Sequence, residues 1–411
     1  MKFDEVDMQK SKLKVALVAA NTAPIPDVLG GGAERLVTML INENELENRV
    51  QFIVFSKDNM EAQSIAERYS NAEFMYIKKN NIMVKTYNGC VNIINKVFGC
   101  NKLKYGYYSK IAQYLKKNDV NIVIDENGYV PEIKYITNTM GKNNTLAHVH
   151  WEVSPQKQKI DGLYGGIIGV SEFVKDSWLN HSDDNDVKGM VVYSAVDERR
   201  FCKTLNKFQK KELRKQLEID EQDIVFLYCG RIHEQKGVLQ LIKVFKTLNQ
   251  KNIKLLIVGG SDLQNSNISK YEQSVKEYAF GDRRIKFTGY VSNEKLHLFY
   301  QIADVQVIPT IVEEAAGLVA IEGMLSGLPI IATNSGGLPE YVNEGCSIIV
   351  NKDEDVWREI GSAMERLSED KELRMLLSSN ALIRGRQYSQ NCYYNDFVDC
   401  IEEYYYSNIV K

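Results

Sequence analysis

The sequence lacks the marks of exported, membrane-spanning and zinc-stabilised proteins. Its seven cysteines are scattered, with no CxxC pair and no spacing typical of zinc sites, and their odd number does not suit a secreted disulfide framework. No run approaches about eighteen uninterrupted apolar residues, and the N-terminal stretch MKFDEVDMQKSK carries acids where a signal peptide would carry basic and then apolar residues. We therefore expect a protein of a reducing, cytoplasmic compartment that neither spans a membrane nor is exported by that route.

An excess of positive charge is also missing from the chain as a whole, and its net charge of -3 gives no case for nucleic acid as a partner. Acids, in turn, are missing between Phe74 and Asn118, where lysines are mixed with apolar residues and tyrosines. This basic region, residues 75–118, suits peripheral contact with an anionic membrane or a polyanionic acceptor, and a solvated helical face is an equally good interpretation. Its lysines are Lys78, Lys79, Lys85, Lys96, Lys102, Lys104, Lys110, Lys116 and Lys117.

Length and the order of apolar runs predict an α/β protein with two domains, because 411 residues exceed the size at which one core keeps growing. The apolar run Lys14–Ala20 is typical of a buried parallel strand, and the helical pattern after its glycine-rich loop completes a βα unit. Further strands are predicted at 51–56, 121–126, 145–150, 164–171 and 190–194. After Asp197 the alternation starts again with the strand Ile224–Gly230. We place the domains at residues 1–196 and 197–388.

The stretch Pro309–Glu340 combines apolar strands, glycine loops and two carboxylates, and we expect the main functional site of the protein here. Glu314 and Glu322 flank Gly317, which opens a helix-forming run, so the N-terminal amides of a helix would face an approaching anion, phosphate above all. A carboxylate near the helix start can accept two sugar hydroxyls, and one over two turns further on can reach a ribose. Solvated helix carboxylates with this spacing are common, so the pair gains weight only from the glycine loops around it.

A second group of candidates follows the strand Ile224–Gly230. Arg231 and Lys236 lie in the loop between the carboxyl end of this strand and the next helix. A guanidinium and an ammonium in such a loop can hold a diphosphate and stabilise its charge as it leaves. The alternative is a surface loop whose cations merely cap or pair locally.

The first domain offers weaker candidates. The loop Gly30–Gly32 does not match GxGxxG, which counts against a dinucleotide fingerprint, although its backbone at a helix start could still approach a phosphate or an acceptor. His148 and His150 lie two apart on a predicted strand and so point to the same face at its carboxyl end. A metal pair is conceivable, but no third ligand of sensible spacing follows, so we expect a hydrogen-bonding histidine and no metal. Asp184, in the turn HSDDNDVKG, is interpreted as solvated.

Nine segments occur in one order along the chain: GGGAERLV, HVHWE, GVSEFVKDSWL, VVYSAVDERRF, CGRIHEQKG, LLIVGG, KFTGYV, EEAAGLVAIEGMLSG and SGGLPE. This set covers almost the whole chain and resembles retaining glycosyltransferases of the GT-B type, in the group called family 4 (glycosyl transferases group 1). The resemblance implies two facing Rossmann-like domains with a deep cleft between them, and a C-terminal helix, residues 389–411, that crosses back to the acceptor-side first domain. It also implies a nucleotide-sugar donor, a UDP-sugar being favoured, with no metal and no other cofactor.

Matched motif by motif, the resemblance gives roles to individual residues. Donor binding would fall to Gly31, Gly32, Gly230, Arg231, Lys236, Glu314, Gly317, Leu318, Val319 and Glu322, and catalysis to Glu314, His150, Arg231 and Lys236. Within this set, Glu314 would contact the transferred sugar, Glu322 would hold the ribose and His150 would face the reacting sugar. Attack would come from the same face as the departing diphosphate, whose oxygen could take the acceptor's proton, so that catalysis would rest on positioning and charge stabilisation.

The function that the resemblance implies is transfer of a sugar to a glycan, glycolipid or glycoprotein in bacterial cell-surface glycan synthesis. A non-catalytic GT-B subunit that recognises an acceptor and assists a partner transferase is the alternative, and loss of the cations or of either glutamate would favour it. An epimerase acting on nucleotide sugars is a third possibility and would react without an acceptor. Two positions depart from the family's pattern: Ser194-Ala195 stand where Asn-Gly is frequent, and Ala316 stands where Phe is frequent. The second departure leaves the identity of the sugar open.

Overall fold

Two parallel β-sheets, each interleaved with helices, make up the fold. The computed structural model describes residues 12–78, 82–99, 104–126, 129–261 and 268–410. The strands of the first sheet are β1 (Lys14–Ala19), β2 (Gln51–Lys57), β3 (Ala72–Ile77), β4 (Ile122–Glu126), β5 (Thr145–Val149), β6 (Gly166–Gly169) and β7 (Lys188–Val191). Those of the second sheet are β8 (Ile224–Cys229), β9 (Ile253–Val258), β10 (Ile285–Gly289), β11 (Val305–Ile308), β12 (Ile330–Thr333) and β13 (Ser347–Val350).

Helices connect almost all of these strands. They are α1 (Gly32–Glu47), α2 (Met60–Ala66), α3 (Ile82–Phe98), α4 (Tyr107–Leu115), α5 (Lys134–Met140), α6 (Pro155–Gln158), α7 (Glu172–Asn180), α8 (Glu198–Phe201), α9 (Lys207–Gln216), α10 (Val238–Thr247), α11 (Lys270–Ala279), α12 (Asn293–Tyr300), α13 (Leu318–Leu325), α14 (Leu338–Tyr341), α15 (Val356–Glu369), α16 (Lys371–Gly385) and α17 (Gln390–Asn408). Short 3-10 turns occupy Pro131–Ile133, Glu234–Lys236 and Arg386–Tyr388.

The first sheet has the order β3-β2-β1-β4-β5-β6-β7, and all of its strand pairs are parallel. All residues of β4 and β5 are buried, and so is β1 after Lys14, because a parallel sheet is covered by helices on both faces. The direction of winding reverses between β1 and β4. Ligands of doubly wound folds bind outside the carboxyl ends of the strands at such a reversal.

The second sheet repeats this plan with the order β10-β9-β8-β11-β12-β13, again fully parallel, and it reverses between β8 and β11. Two apolar cores cover its faces. Along β8, Phe226 and Tyr228 enter one core, whereas Val225 and Leu227 enter the other. This alternation follows from the two-residue period of a strand and explains why β8 is apolar throughout.

The prediction of an α/β fold with two Rossmann-like sheets is confirmed. One strand was missed: β3 (AEFMYI) lies at the edge of its sheet, is only half-buried, and therefore lacks a continuous apolar run. Several predicted ends were too long, since β5 stops at Val149 rather than at His150, and β7 runs from Lys188 to Val191 rather than to Ser194.

Contacts along the chain divide it into two compact units. The first comprises residues 1–170, 175–192 and 394–411, and the second comprises 171–174 and 193–393. Within the first unit, Arg49 holds the C-terminal part of α17 by donating to Asp399 at 2.6 Å and to Glu402 at 2.9 Å. Among the described residues, no helix is long and apolar enough to cross a membrane. Lys79 and Lys102 of the basic region, and the N-terminal stretch up to residue 11, lie outside the described residues.

Candidate functional site

In the second unit, the reversal of the sheet brings together two loops that carry predicted site residues. β8 pairs with β9 on one side and with β11 on the other. Gly230, Arg231 and Lys236 follow the carboxyl end of β8, and Glu314 follows the carboxyl end of β11. The topology therefore places two cations and a carboxylate at the position where doubly wound sheets bind ligands.

The side chains confirm this proximity for one pair. Lys236 Nζ lies 2.5 Å from Glu314 Oε1, and both side chains stay partly open to solvent, at 27% and 21% exposure. Arg231 is exposed, and among the described residues it forms no ion pair. Its carbonyl oxygen accepts a hydrogen bond from Tyr228 at 2.7 Å, which fixes the loop backbone. An unpaired guanidinium and an ammonium that can exchange its partner are thus available to an anion.

Glycine is required where these loops meet. Gly237 has a φ of 70°, and a Cβ there would collide with the carbonyl oxygen of Pro309. Gly259 has a φ of 132°, and a Cβ there would collide with the carbonyl oxygen of Gly230. Backbone atoms of the loops after β8, β9 and β11 therefore approach as closely as glycine allows, which holds the charged residues in place.

The start of α13 is fixed from the next loop, after β12. Gly337 N donates to the carbonyl oxygen of Glu314 at 2.7 Å, and Gly336 takes a φ of 50°, where a Cβ would collide with the same oxygen. Gly317 is buried and caps the helix. The glycine pair of SGGLPE thus positions the backbone of Glu314.

The first helical residues of α13, Leu318 and Val319, are half-buried. Gln306 Nε2 donates to the carbonyl oxygen of Val319 at 2.9 Å, and Ala316 packs against one of the two cores. The N-terminal turn of this helix is therefore fixed by contacts with the sheet and the core. Its free backbone amides are the groups that can bind an anion.

Glu322 lies deeper than Glu314 and has a partner that the sequence did not suggest. Its side chain is buried, and its Oε2 accepts a hydrogen bond of 2.7 Å from the fully buried Tyr300. Burial, together with the neighbouring Cys229 and Glu322, raises the pKa of Tyr300 well above its usual value, so this hydroxyl stays a donor. One carboxylate oxygen of Glu322 is oriented by Tyr300.

Two more residues of the second unit were missed. Glu340, in SGGLPE, accepts from the backbone amides of Glu172 at 2.7 Å and Phe173 at 2.9 Å, at the start of α7. Ser171 Oγ donates to the carbonyl oxygen of Ala315 at 2.7 Å. Polar residues at these turns could have been singled out in the sequence as possible hydrogen-bonding groups. Their hydrogen-bond partners could not, because the fold and not the sequence spacing brings them together.

In the first unit, carboxylates of the protein itself already lie at the glycine loop after β1. Asp27 Oδ1 accepts from the amides of Gly30 at 2.7 Å and Gly31 at 3.3 Å, and a Cβ on Gly31 would collide with the carboxylate of Glu34. Gly32 is the first residue of α1. Two carboxylates at this helix start reduce its attraction for an anion.

A buried cluster lies at the carboxyl ends of β4 and β5. Glu126 and His148 are direct neighbours in the strand register. Glu126 Oε2 lies 2.9 Å from His148 Nδ1 and 3.1 Å from His150 Nε2, and the two imidazole rings are 4.2 Å apart. Tyr129 donates its hydroxyl hydrogen to the carbonyl oxygen of His148 and accepts from the amide of His150 at 3.1 Å. The two histidines do share one face, and Glu126 holds both.

The charge on this cluster follows from its pKa values. Burial alone would raise the pKa of Glu126, but His148 and His150 outweigh it and lower this pKa to about 2. Burial and the facing His148 lower the pKa of His150 to about 4. At neutral pH the cluster therefore contains an ionised carboxylate and a neutral His150.

Chemically, the same three residues could hold a metal ion, because one ligand atom from each lies within 4.8 Å of the others. The third possible ligand, Glu126, precedes the histidines in the sequence, whereas one was expected only after His150. Asp184 was expected to be solvated, but its carboxylate forms an ion pair of 2.5 Å with Lys142 and is only 13% exposed. That part of the interpretation was wrong.

Residues 209–384 match the family Glycosyl transferases group 1. The second unit therefore contains a glycosyl transferases group 1 domain. Arg231, Lys236, Glu314 and Glu322 all fall inside this domain.

Known proteins support the same assignment and show the fold of the whole chain. A region of 206 residues is 38% identical to the lipopolysaccharide 1,2-N-acetylglucosaminetransferase of Salmonella typhimurium, covering 49% of this chain and 51% of that protein. The chain spans about half the length of the first curated relatives it matches. A solved glycosyltransferase from Rickettsia africae superimposes with a TM-score of 0.73 at 19% identity, over 96% of this chain and 99% of that one. Anabaena HepE, solved with UDP and glucose, gives a TM-score of 0.70 at 15% identity, over 95% and 100%. The fold is GT-B.

Proposed function

We propose that this protein is a retaining glycosyltransferase that moves a sugar from a nucleoside-diphosphate sugar to a glycan, glycolipid or glycoprotein, in bacterial cell-surface glycan synthesis on the cytoplasmic side of the membrane. The observation that carries the proposal is the pair of Lys236 and Glu314, 2.5 Å apart at the sheet reversal, with Arg231 in the same loop. The names of the relatives, a lipopolysaccharide N-acetylglucosaminetransferase among them, support this class of reaction.

Donor binding follows from the charges at this position. Arg231 and Lys236 bind the diphosphate, since guanidinium and ammonium groups are strong phosphate ligands. Glu314 accepts hydroxyl hydrogens of the transferred sugar, and the first turn of α13, Gly317 to Val319, offers its amides. Glu322, oriented by Tyr300, accepts from the ribose. The complexes of Anabaena HepE with UDP and with UDP-glucose support UDP as the carrier.

The transfer step needs no side-chain nucleophile. The acceptor oxygen forms a bond to the anomeric carbon on the face from which the diphosphate departs, and the bond between that carbon and the phosphate oxygen breaks. The leaving phosphate oxygen takes the proton of the acceptor hydroxyl. Arg231 and Lys236 stabilise the negative charge that grows on the diphosphate. We propose a metal-independent reaction because these two cations supply the charge stabilisation that the step requires.

Residues of the first unit are proposed to serve the sugar and the acceptor. His150 acts on the reacting sugar, and Gly31 and Gly32 serve the acceptor. Asp27 already accepts from the amides of Gly30 and Gly31, which favours a hydroxyl-bearing acceptor over a phosphate at this loop. Carboxylates are good acceptors for sugar hydroxyls.

An anionic membrane is the proposed surface partner of the basic region. Along α3, Met83, Tyr87 and Val97 follow one another at helical spacing, and all are more than half exposed. Lys85 and Lys96, eleven positions apart, share another face of the same helix and are exposed, and among the described residues neither forms an ion pair. An amphipathic helix with exposed apolar residues and lysines is typical of contact with anionic lipids.

A ligand screen with a turnover assay tests the function. We expect one nucleoside diphosphate, UDP being favoured, to raise the melting temperature, because a ligand at about a hundred times its Kd adds about 2.7 kcal/mol of stability. The corresponding UDP-sugar should then be consumed only when an acceptor is present. Consumption without acceptor would indicate an epimerase or a hydrolase, and donor binding without turnover on any acceptor would favour the non-catalytic subunit.

A further inference from the structure

The buried cluster of the first unit has one carboxylate for two imidazoles. Glu126 is 2% exposed and His148 is fully buried, and both histidines approach the same oxygen, Oε2. This oxygen has two lone pairs, so it can accept one N–H from each ring. Glu126 is therefore the centre of the cluster, because each histidine contacts its carboxylate.

The hydrogen bonds fix where the protons are. An ionised carboxylate has no proton to donate, so Nε2 of His150 and Nδ1 of His148 must both carry hydrogen. The lone pair of a neutral His150 is then at Nδ1, whereas Nε2 of His148 is buried without a hydrogen-bond partner among the described residues. His150 is thus presented as a hydrogen-bond acceptor in a single tautomer.

We propose that Glu126 is the positioning residue of His150: it selects the tautomer with hydrogen on Nε2 and fixes the ring, so that Nδ1 can accept a hydroxyl hydrogen from the sugar. His148 shares the same carboxylate oxygen and supports the second ring from 4.2 Å away. The inference rests on the proposed function, because it concerns the histidine assigned to the reacting sugar. It adds a residue that contacts neither donor nor acceptor.

The neighbouring carboxylate shows what a purely structural role looks like. Asp125 is also fully buried at the end of β4, but it points to the other face. It accepts from Tyr164 at 2.6 Å and from the amide of Tyr129 at 3.3 Å, and it contacts neither histidine. Asp125→Asn is therefore the matched control for Glu126→Gln, since each change replaces one buried carboxyl group of the same strand with an amide of the same shape.

The direct test is the tautomer of His150 by nitrogen-15 spectroscopy of the full chain. The sequence has only five histidines, so His150→Gln assigns the signal by its disappearance. We expect wild type to show hydrogen on Nε2 and a lone pair on Nδ1 at neutral pH. Glu126→Gln should shift His150 towards the other neutral tautomer, with hydrogen on Nδ1, whereas Asp125→Asn should leave it unchanged. An unchanged His150 signal in Glu126→Gln overturns the proposal.

Kinetics and metal analysis provide the second readout. Glu126→Gln should lower kcat by at least about tenfold, with the KM for the donor nearly unchanged, and the double variant with His150→Gln should be no slower than His150→Gln alone. Additive losses overturn the positioning role. So does a stoichiometric metal ion in the wild type that is lost in Glu126→Gln, because the cluster would then be a metal centre. If the chain proves not to be a transferase, the spectroscopic result still decides whether Glu126 controls His150.

Discussion

The charged groups at the two sheet reversals differ in how open they are to solvent. In the second unit, the Lys236 and Glu314 side chains are 27% and 21% exposed, whereas in the first unit Glu126 and His148 are 2% and 0% exposed. An exposed ion pair contributes about 0–1 kcal/mol to stability, so a ligand can replace one partner at little cost. Removing one member of a buried pair costs about 3–5 kcal/mol. The partly exposed pair of Lys236 and Glu314 is therefore suited to binding a ligand. The buried cluster around Glu126 is suited to holding a side chain in one position.

This difference has a consequence for mutagenesis. Changes at Lys236 or Glu314 should leave the fold intact and remove function, because little stability depends on their contact. Changes at Glu126 should affect both, since they leave buried imidazoles without their acceptor.

The largest effect is expected at the open pair. Glu314→Ala, Lys236→Ala and Arg231→Ala should each reduce transfer by at least about a hundredfold, because each removes a group that stabilises charge or orients the sugar in the transition state. The measurement is kcat/KM with the cognate donor and acceptor, together with the melting temperature, which should change little.

The sequence offers a matched control for this prediction. Glu313, the adjacent carboxylate, has its own lysine, Lys352, at 2.5 Å. Glu313→Ala removes a similar ion pair one residue away from Glu314, and it should keep most of the activity. Equal losses in Glu313→Ala and Glu314→Ala would contradict the site assignment, as would normal turnover in any two of the three site variants.

The second prediction contrasts the surfaces of the two units. Lys85→Glu with Lys96→Glu should weaken binding to vesicles that contain anionic lipid by at least about tenfold, because each reversal replaces attraction by repulsion. Met83→Ser with Val97→Ser should weaken binding to the same vesicles by removing apolar contact. Cosedimentation at fixed lipid concentration measures both.

The control for the membrane prediction lies in the group 1 domain. Lys251 and Lys371 are exposed, so Lys251→Glu with Lys371→Glu makes the same change in net charge elsewhere. We expect this variant to sediment like wild type. Equal loss in both charge variants would mean that net charge alone matters, and no loss in either would exclude the basic region as the membrane contact. Among the lysines of that region, Lys104 and Lys110 are further candidates for reversal.

The two sites were not equally accessible from the sequence. Buried parallel strands are continuous apolar runs, so β1 and β8 could be recognised, and Arg231 and Lys236 could be assigned to the loop after the carboxyl end of β8 without a structure. The edge strand β3 could not, because half-buried residues give no such run. Glu314 was predicted from its position before Gly317 and the start of a helix, and its direct contact with Lys236 was not anticipated.

Contacts set by strand register were the ones missed. Glu126 ended a predicted strand and was given no role, since nothing in its spacing connects it with His148, 22 positions later. The parallel pairing of β4 and β5 makes the two residues direct neighbours. The contact between Tyr300 of α12 and Glu322 of α13, which are also 22 positions apart, was missed because the packing of two helices brings them together and spacing does not show it. Sequence patterns show which residues lie on an element, but the partner across the fold depends on topology.

A third prediction concerns the buried carboxylate of the second unit. Tyr300→Phe removes the hydrogen bond that orients Glu322, so the KM for the donor should rise about threefold to tenfold while kcat stays nearly constant. Tyr271→Phe, which removes a tyrosine hydroxyl at 3.4 Å from the amide of Leu239, is the control and should not change KM. A fall in kcat without a change in KM would show that Glu322 acts on the reacting sugar and not on the ribose.

The smallest effect is expected for stability as a function of pH. Burial raises the pKa of Asp125 from 3.8 to about 7, although Tyr164 and the Tyr129 amide donate to it. The folded protein therefore keeps a proton that the unfolded chain releases above pH 3.8. This contribution to stability is complete below that pH and is lost as pH rises through about 7, so wild type should lose stability relative to Asp125→Asn between pH 5 and pH 8. Melting temperatures of both proteins at the two pH values measure the change, and a constant difference would mean that Asp125 is ionised in the folded state throughout, as Glu126 is.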